Sequence, residues 1–216
     1  MNDLLPLLAL ETSGDLCSVC VMIEENIFIE QNMRGRHIHS EKLIGMINDV
    51  MSESGTVLNQ LKGIAVSAGP GSFTGLRIGF SAAKGIAFGA GLPLLPVPTL
   101  NAFAFQISGY LPENTTFGIA VGANMEEAYF TKIKKENAGN KILAELSLVE
   151  KSNIPVFPGE ILFSGISGSG APYNIPSLDA TSISKWAYLF GRDLLTFNYD
   201  YLEPNYFKKF IVKAKS

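Results

Sequence analysis

The sequence predicts an α/β protein of two related halves, the second degenerate. Three observations carry this expectation. Short apolar runs bounded by turns open the chain as a three-strand meander and then alternate with helical patterns. A linker-like stretch, Gly109-Tyr-Leu-Pro-Glu-Asn-Thr-Thr116, interrupts the pattern, which then begins again less cleanly. Between them, Ile64 to Phe80 reads as a buried strand, a glycine turn and a helix start.

The first half is expected over residues 1–108 and a smaller one over 109–216. Leu7 to Thr12 is the first strand, and Ser13-Gly14-Asp15 is a tight turn. Strands Cys17 to Ile23 and Ile27 to Gln31 follow, joined by the Glu24-Glu25-Asn26 turn. Ser40 to Met51 is an amphipathic helix, with Ser40 as N-cap and Leu43, Ile44, Ile47, Val50 and Met51 on one face. Ile64 to Ser67 and Leu94 to Val97 are strands, and Thr99 to Ile107 is a helix. In the second half Phe117 to Gly122, Ala128 to Ile133, Leu146 to Val149 and Ile161 to Ser164 read as strands. Ser167 to Gly170 and Pro172 to Pro176 read as loops, and Ser182 to Thr196 as a helix holding the single tryptophan, Trp186.

The helix after the glycine turn has an unusual surface. On a wheel of 3.6 residues per turn, Gly75, Gly79, Ala82, Gly85, Ile86 and Gly89 share one stripe. Leu76, Phe80, Ala83 and Ala87 form a second, apolar stripe, while Arg77 and Lys84 lie opposite. Each interior glycine costs roughly 0.8–1.0 kcal/mol relative to alanine. Such a face implies a closely packed neighbour, either the rest of the domain or another subunit. The turn itself, with Gly69, Gly71, Ser72 and Thr74, is either an anion site at a helix N-terminus or a plain chain reversal.

At 216 residues the chain can bury a sizeable core, and 47% hydrophobic with 17% charged residues predicts a folded protein. A net charge of −3 argues against a broad basic nucleic-acid face, and the lysines between Tyr206 and Lys215 read as a solvated tail. The chain lacks the apolar run of a membrane span and the basic leader of a signal peptide, so a cytoplasmic protein is expected. Cys17 and Cys20 have redox-motif spacing, but residues three apart on a strand face opposite ways, so plain buried thiols are expected.

Little catalytic chemistry is legible. The glycine turn lacks the Lys-Ser/Thr of a P-loop, and Ser72 sits one place too early for a hydrolase nucleophile elbow. His37 and His39 could share a strand face and hold a metal, although a loop leading into a helix is the plainer reading. Glu11 and Asp15 flank the first turn and could hold Mg²⁺ with a nucleotide; exposed turn residues are the plainer reading.

Several segments carry a family resemblance. Leu8-Ala-Leu-Glu-Thr-Ser13, His39-Ser40 with Leu43, Gly69 to Gly79, Ala83-Lys-Gly85 and Pro96-Val-Pro-Thr-Leu100 occur in order. They closely resemble the bacterial TsaB (YeaZ) family over roughly the first half, and Met125-Glu-Glu-Ala-Tyr129 and Glu203-Pro-Asn-Tyr206 match later. The resemblance implies an actin-like (ribonuclease H-like) fold and a part in forming N6-threonylcarbamoyladenosine beside the anticodon of tRNAs reading ANN codons. It further implies a non-catalytic subunit that binds a TsaD-type catalytic paralogue, works with a TsaE-type ATPase, meets tRNA only through the complex, and forms a homodimer when alone. It implies no cofactor required by the chain itself, with the complex able to take ATP or ADP and Mg²⁺. The paralogue's His-x-x-x-His metal motif should fall near Thr99 and Phe103, which are not histidines. Ser40, Leu43, Ile44, Ile47, Gly75, Gly79 and Ala82 are the interface candidates, and Gly69, Gly71, Ser72 and Thr74 the anion or nucleotide candidates. Family members often carry Asp-Ala-Arg where this chain has Gly122-Ala123-Asn124, so a contact made by that charged pair is in doubt. The fold type also admits an ATPase, kinase or peptidase-like enzyme, or a chaperone, with Mg²⁺-dependent ATP binding by the isolated chain as the discriminating observation for a kinase.

Overall fold

The fold was analysed in a computed structural model, which describes residues 4–35, 38–137, 139–155, 161–164 and 177–206. Strand β1 (Leu7–Glu11) is buried along its whole length at the centre of the first sheet. It pairs antiparallel with β2 (Leu16–Glu24), which pairs antiparallel with β3 (Ile27–Arg34). On its other side β1 runs parallel to β4 (Gly63–Ser67), and β4 parallel to β5 (Leu94–Val97). The order is therefore β3-β2-β1-β4-β5. Parallel neighbours require crossovers, supplied by α1 (Ile38–Glu53) between β3 and β4 and by α2 (Phe73–Ala90) between β4 and β5.

Both faces of this sheet are covered, and the period-two alternation of its strands divides two cores. Leu8, Leu10, Val19, Val21, Ile64 and Val66 pack with Leu43, Met46, Ile47 and Val50 of α1 and with Phe80, Ala83 and Ala87 of α2. Leu7, Ala9, Cys20, Met22, Ala65 and Leu95 face the other way, toward α3 (Thr99–Ser108) and α4 (Ala180–Phe190). Cys17 and Cys20 fall in different cores, as their spacing on a strand predicts, and both are free buried thiols.

The second sheet comprises β6 (Thr116–Gly122), β7 (Glu127–Glu136), β8 (Gly139–Glu150) and β9 (Ile161–Ser164) in the order β8-β7-β6-β9. Two antiparallel pairings and one parallel pairing repeat the β3-β2-β1-β4 plan of the first sheet. The shared strand plan bears out the expected pair of related α/β halves. Phe117, Ile119, Tyr129 and Ile133 join the α3–α4 core, which spans both sheets. Helix α4 belongs to the second half in sequence but packs on β1 and β2. The following segment also returns: Leu94 and Thr196 exchange backbone hydrogen bonds, and Asn205 N donates to Ala68 O at 2.7 Å.

Several expectations need correction. Helix α1 starts at Ile38, so Ser40 lies inside its first turn and is not the N-cap. Ile44 is 57% exposed, because the buried series is Leu43, Met46, Ile47 and Val50, spaced three and four apart; Ile44 sits 100° away. Helix α4 starts two residues early, where the Asp179 side chain accepts from Ser182 N, and ends at Phe190 with Gly191 as its C-cap. Strand β8 begins at Gly139 rather than Leu146, since pairing with β7 needs no apolar run on an exposed strand. His37, the loops 167–170 and 172–176, and the lysine-rich stretch 207–215 lie outside the described residues.

Candidate functional site

The end of β1 and the start of α2 meet at one place. Ser72 caps α2, its hydroxyl accepting from Gly75 N at 3.2 Å, and Ser72 N donates to Ser13 O at 2.7 Å. The Thr12 hydroxyl donates to Gly75 O at 2.9 Å. A methyl group on Gly75 would overlap Thr12 O, and one on Gly79 would overlap the Thr12 hydroxyl. The neighbour implied by this end of the glycine stripe is therefore β1 of the same chain. At Gly85 and Gly89 a methyl group would meet nothing within 4 Å. The stripe has two ends with different surroundings.

The turn between β4 and α2 is held from three sides. Gly69 has φ +100°, and a side chain there would sit 2.5 Å from Asn205 O, so glycine is required twice over. Gly69 N donates to the Thr99 hydroxyl at 2.9 Å. Gly71 lies against Ser13, where an added Cβ would come within 2.7 Å. Thr74 is exposed in the first turn of α2. The N–H groups of Gly69, Ser72 and Gly75 are thus committed to partners within the chain. Beside the turn, Phe73 stacks against Tyr206 at 4.7 Å between ring centroids, with the Arg77 guanidinium 5.4 Å from the Phe73 ring.

Glu11 is the unusual group here. It is 1% exposed at the end of β1. Its Oε1 accepts from both the backbone N–H and the hydroxyl of Ser13, each at 2.5 Å. Its Oε2 has no hydrogen-bond partner among the described residues. Burial pushes this carboxyl up to about 7, with the Ser13 donors opposing the rise. Burial, and then the charge of Glu11, push the Cys17 thiol up to about 11, while burial does the same for Cys20. Asp15 turns elsewhere, pairing with Arg34 at 3.1 Å and accepting from the Ser177 hydroxyl at 2.9 Å. Glu11 and Asp15 are therefore not drawn into a common cation site. Among the described residues no group of three or more His, Cys, Asp or Glu side chains could hold a metal ion.

The remaining predicted residues divide clearly. Leu43, Ile47, Gly75 and Gly79 are buried within the chain, which corrects their use as a contact surface. Ser40 and Ile44 are exposed on α1, and Ala82 is half-buried on α2. His39 lies in α1 with Nε2 3.2 Å from Leu16 O. Thr99 and Phe103 are buried structural residues of α3. Asn124, where the family resemblance suggests an arginine, accepts from Glu126 N and Glu127 N at 2.8 Å and shapes the β6–β7 turn. Sequence reasoning missed Thr12 and Thr99 as braces of the glycine turn. Thr12 packs against Gly75 and Gly79, and Thr99 accepts from Gly69 N, each from a distant segment with no local signature.

Two repeated mixed sheets, with the first strand ending beside a glycine turn and helix start, define an actin-like α/β class. The family described as "TsaD: tRNA N6-adenosine threonylcarbamoyltransferase" matches residues 32–152. The chain is 39% identical over 133 residues to the tRNA threonylcarbamoyladenosine biosynthesis protein TsaB of Haemophilus influenzae, covering 61% of this chain and 55% of that protein. It is 33% identical over 135 residues to TsaB of Escherichia coli, covering 62% and 57%. The chain thus spans about half the length of the curated relatives it matches. The structure of YeaZ from Pseudomonas aeruginosa superposes with a TM-score of 0.77 at 23% identity, covering 93% of this chain and 98% of that one, a likeness of fold. The chain belongs to the TsaB (YeaZ) family.

Proposed function

We propose that this chain is a non-catalytic subunit in the formation of N6-threonylcarbamoyladenosine on ANN-decoding tRNAs, binding a TsaD-type catalytic paralogue and forming a homodimer when alone. In this reading a TsaE-type ATPase joins the complex, which also brings ATP and Mg²⁺, and tRNA is met only there. No helix of the described residues is long and apolar enough to cross a membrane, and the reading places the protein in the cytoplasm.

The observation that carries the reading is the unoccupied end of α2. Gly85 and Gly89 have open space above them, and Phe88 beside them is 75% exposed. The adjacent helix α1 adds Ile44, 57% exposed, and the exposed Ser40. A small-residue face flanked by large apolar side chains suits close helix packing with another chain. The interface assigned to α1 and α2 is therefore Ser40, Ile44, Ala82, Gly85, Phe88 and Gly89.

Reconstitution tests the function. Purified TsaD-type and TsaE-type proteins, ATP, threonylcarbamoyl-adenylate and tRNA are incubated with and without this chain, and modified adenosine is read by mass spectrometry. The expected outcome is product only when the chain is present. Equal product without it removes the tRNA-modification reading. The interface is tested separately by Gly85→Trp, which should abolish pull-down of the TsaD-type partner without lowering the melting temperature.

A further inference from the structure

A cleft of about 1,100 Å³ lies between the α3–α4 pair and the second sheet. It exceeds the 300–1,000 Å³ typical of small-molecule sites. Its wall is an aromatic cluster: Phe190 lies 6.0 Å from Phe105 and 5.8 Å from Trp186 between ring centroids. Its floor is the face of β7 and β8 that carries Ile133, Ile142 and Leu146. Phe190 is 49% and Ile142 45% exposed, so this apolar lining is open to solvent.

The charge around it is one-sided. Glu30, Glu113, Glu136, Glu145 and Asp179 line the cleft, against Lys135 and Lys185. Lys135 pairs with Glu113 at 3.2 Å and donates to Leu111 O at 2.8 Å, and Lys185 lies 5.1 Å from the Phe28 ring centroid. Ion pairs offset part of this excess, with Lys134 also pairing with Glu136 at 4.0 Å, which leaves Glu30, Glu145 and Asp179 against Lys185. An acidic rim repels phosphate backbones and attracts cations, and aromatic faces add to that attraction.

We propose that this cleft docks a short cationic segment of another protein, with lysine or arginine at the carboxylate rim and aromatic or aliphatic side chains against Phe105, Trp186 and Phe190. The size of the cleft selects a peptide over a small cation, and the charge complementarity selects a basic one. The surface is distinct from the exposed faces of α1 and α2.

Trp186 is the only tryptophan in the chain, so its fluorescence reports occupancy of the cleft directly. The full chain is titrated with the capped peptide Lys-Phe-Lys-Leu-Lys-Phe-Lys and with the same peptide carrying Glu for Lys. The basic peptide should give a saturable change in Trp186 emission that weakens at high salt, and the acidic peptide none. Glu145→Lys and Phe190→Ala, both at exposed positions, should each weaken binding by about tenfold while keeping the parental melting temperature. The proposal is overturned by an unchanged Trp186 signal, by equal binding of the acidic peptide, or by undiminished affinity in both variants.

Discussion

One methyl group separates the two ends of the α2 glycine stripe. Gly75→Ala places a carbon where Thr12 O already sits, so the fold should lose about 2–3 kcal/mol as β1 and α2 are forced apart. Gly85→Ala meets nothing within 4 Å and should gain roughly 0.8–1.0 kcal/mol from helix propensity alone. Urea unfolding of the two variants decides this, and a loss at both positions would show that the outer end is packed too. Glu11 supplies a second prediction. Its carboxyl is raised from 4.5 to about 7, so the folded state holds a proton that the unfolded state has released between those values. Stability from this group is full below about pH 4.5 and falls as pH rises through 7, by about 3 kcal/mol in total. Glu11→Gln keeps a neutral side chain of the same shape and should flatten that decline in a series of melting temperatures. An unchanged pH profile in the variant would show that Glu11 is not the source. Cys17 and Cys20, buried and pushed up to about 11, should resist thiol reagents at pH 8 until denaturant is added.

At the scale of elements, the helices depend on local signals that the sequence displays. Ser72 caps α2 through Gly75 N, and Ser72→Ala should cost about 1 kcal/mol in thermal unfolding. The strands of the first sheet were legible because each is a short apolar run between turn residues, and β1 is buried on every residue. Strand β8 was only partly legible: its first five residues are exposed, so no apolar run marks them and β7 alone recruits them. Helix α1 was found, but its face was misjudged by one residue at Ile44, since a 100° step turns a core position into a surface one. That exposed Ile44 is useful. Ile44→Asp should weaken self-association at least tenfold by sedimentation, with no loss of helix signal. Retained dimerisation would move the proposed interface away from α1.

For the whole molecule, the chain's return to its first sheet matters most. Ala180, Ile183 and Ala187 of α4 cover the face of β1 and β2 that carries Leu7, Ala9, Cys20 and Met22. A fragment of residues 1–108 lacks that cover and should aggregate or bind a hydrophobic dye, whereas the full chain should unfold in one transition. A stable monomeric fragment would mean that the first half folds independently of α4. The aromatic cleft arises from the same return, because Trp186 and Phe190 reach Phe105 only when α4 lies beside α3.

By itself, the sequence determined the α/β class, the repeat of the halves, the turn-and-helix motif at Gly69 to Gly79 and the family. Each of these is written in local periodicity, in turn residues or in short matched segments. Only the tertiary structure decided what the glycines of α2 face, that Glu11 is sealed from water, and that α4 belongs to the core of the first sheet. Those facts depend on contacts between residues such as Thr12 and Gly75, or Cys20 and Ser184, which are far apart in the chain. A residue's type states what it can pack against, but which partner it meets is set by the folded topology.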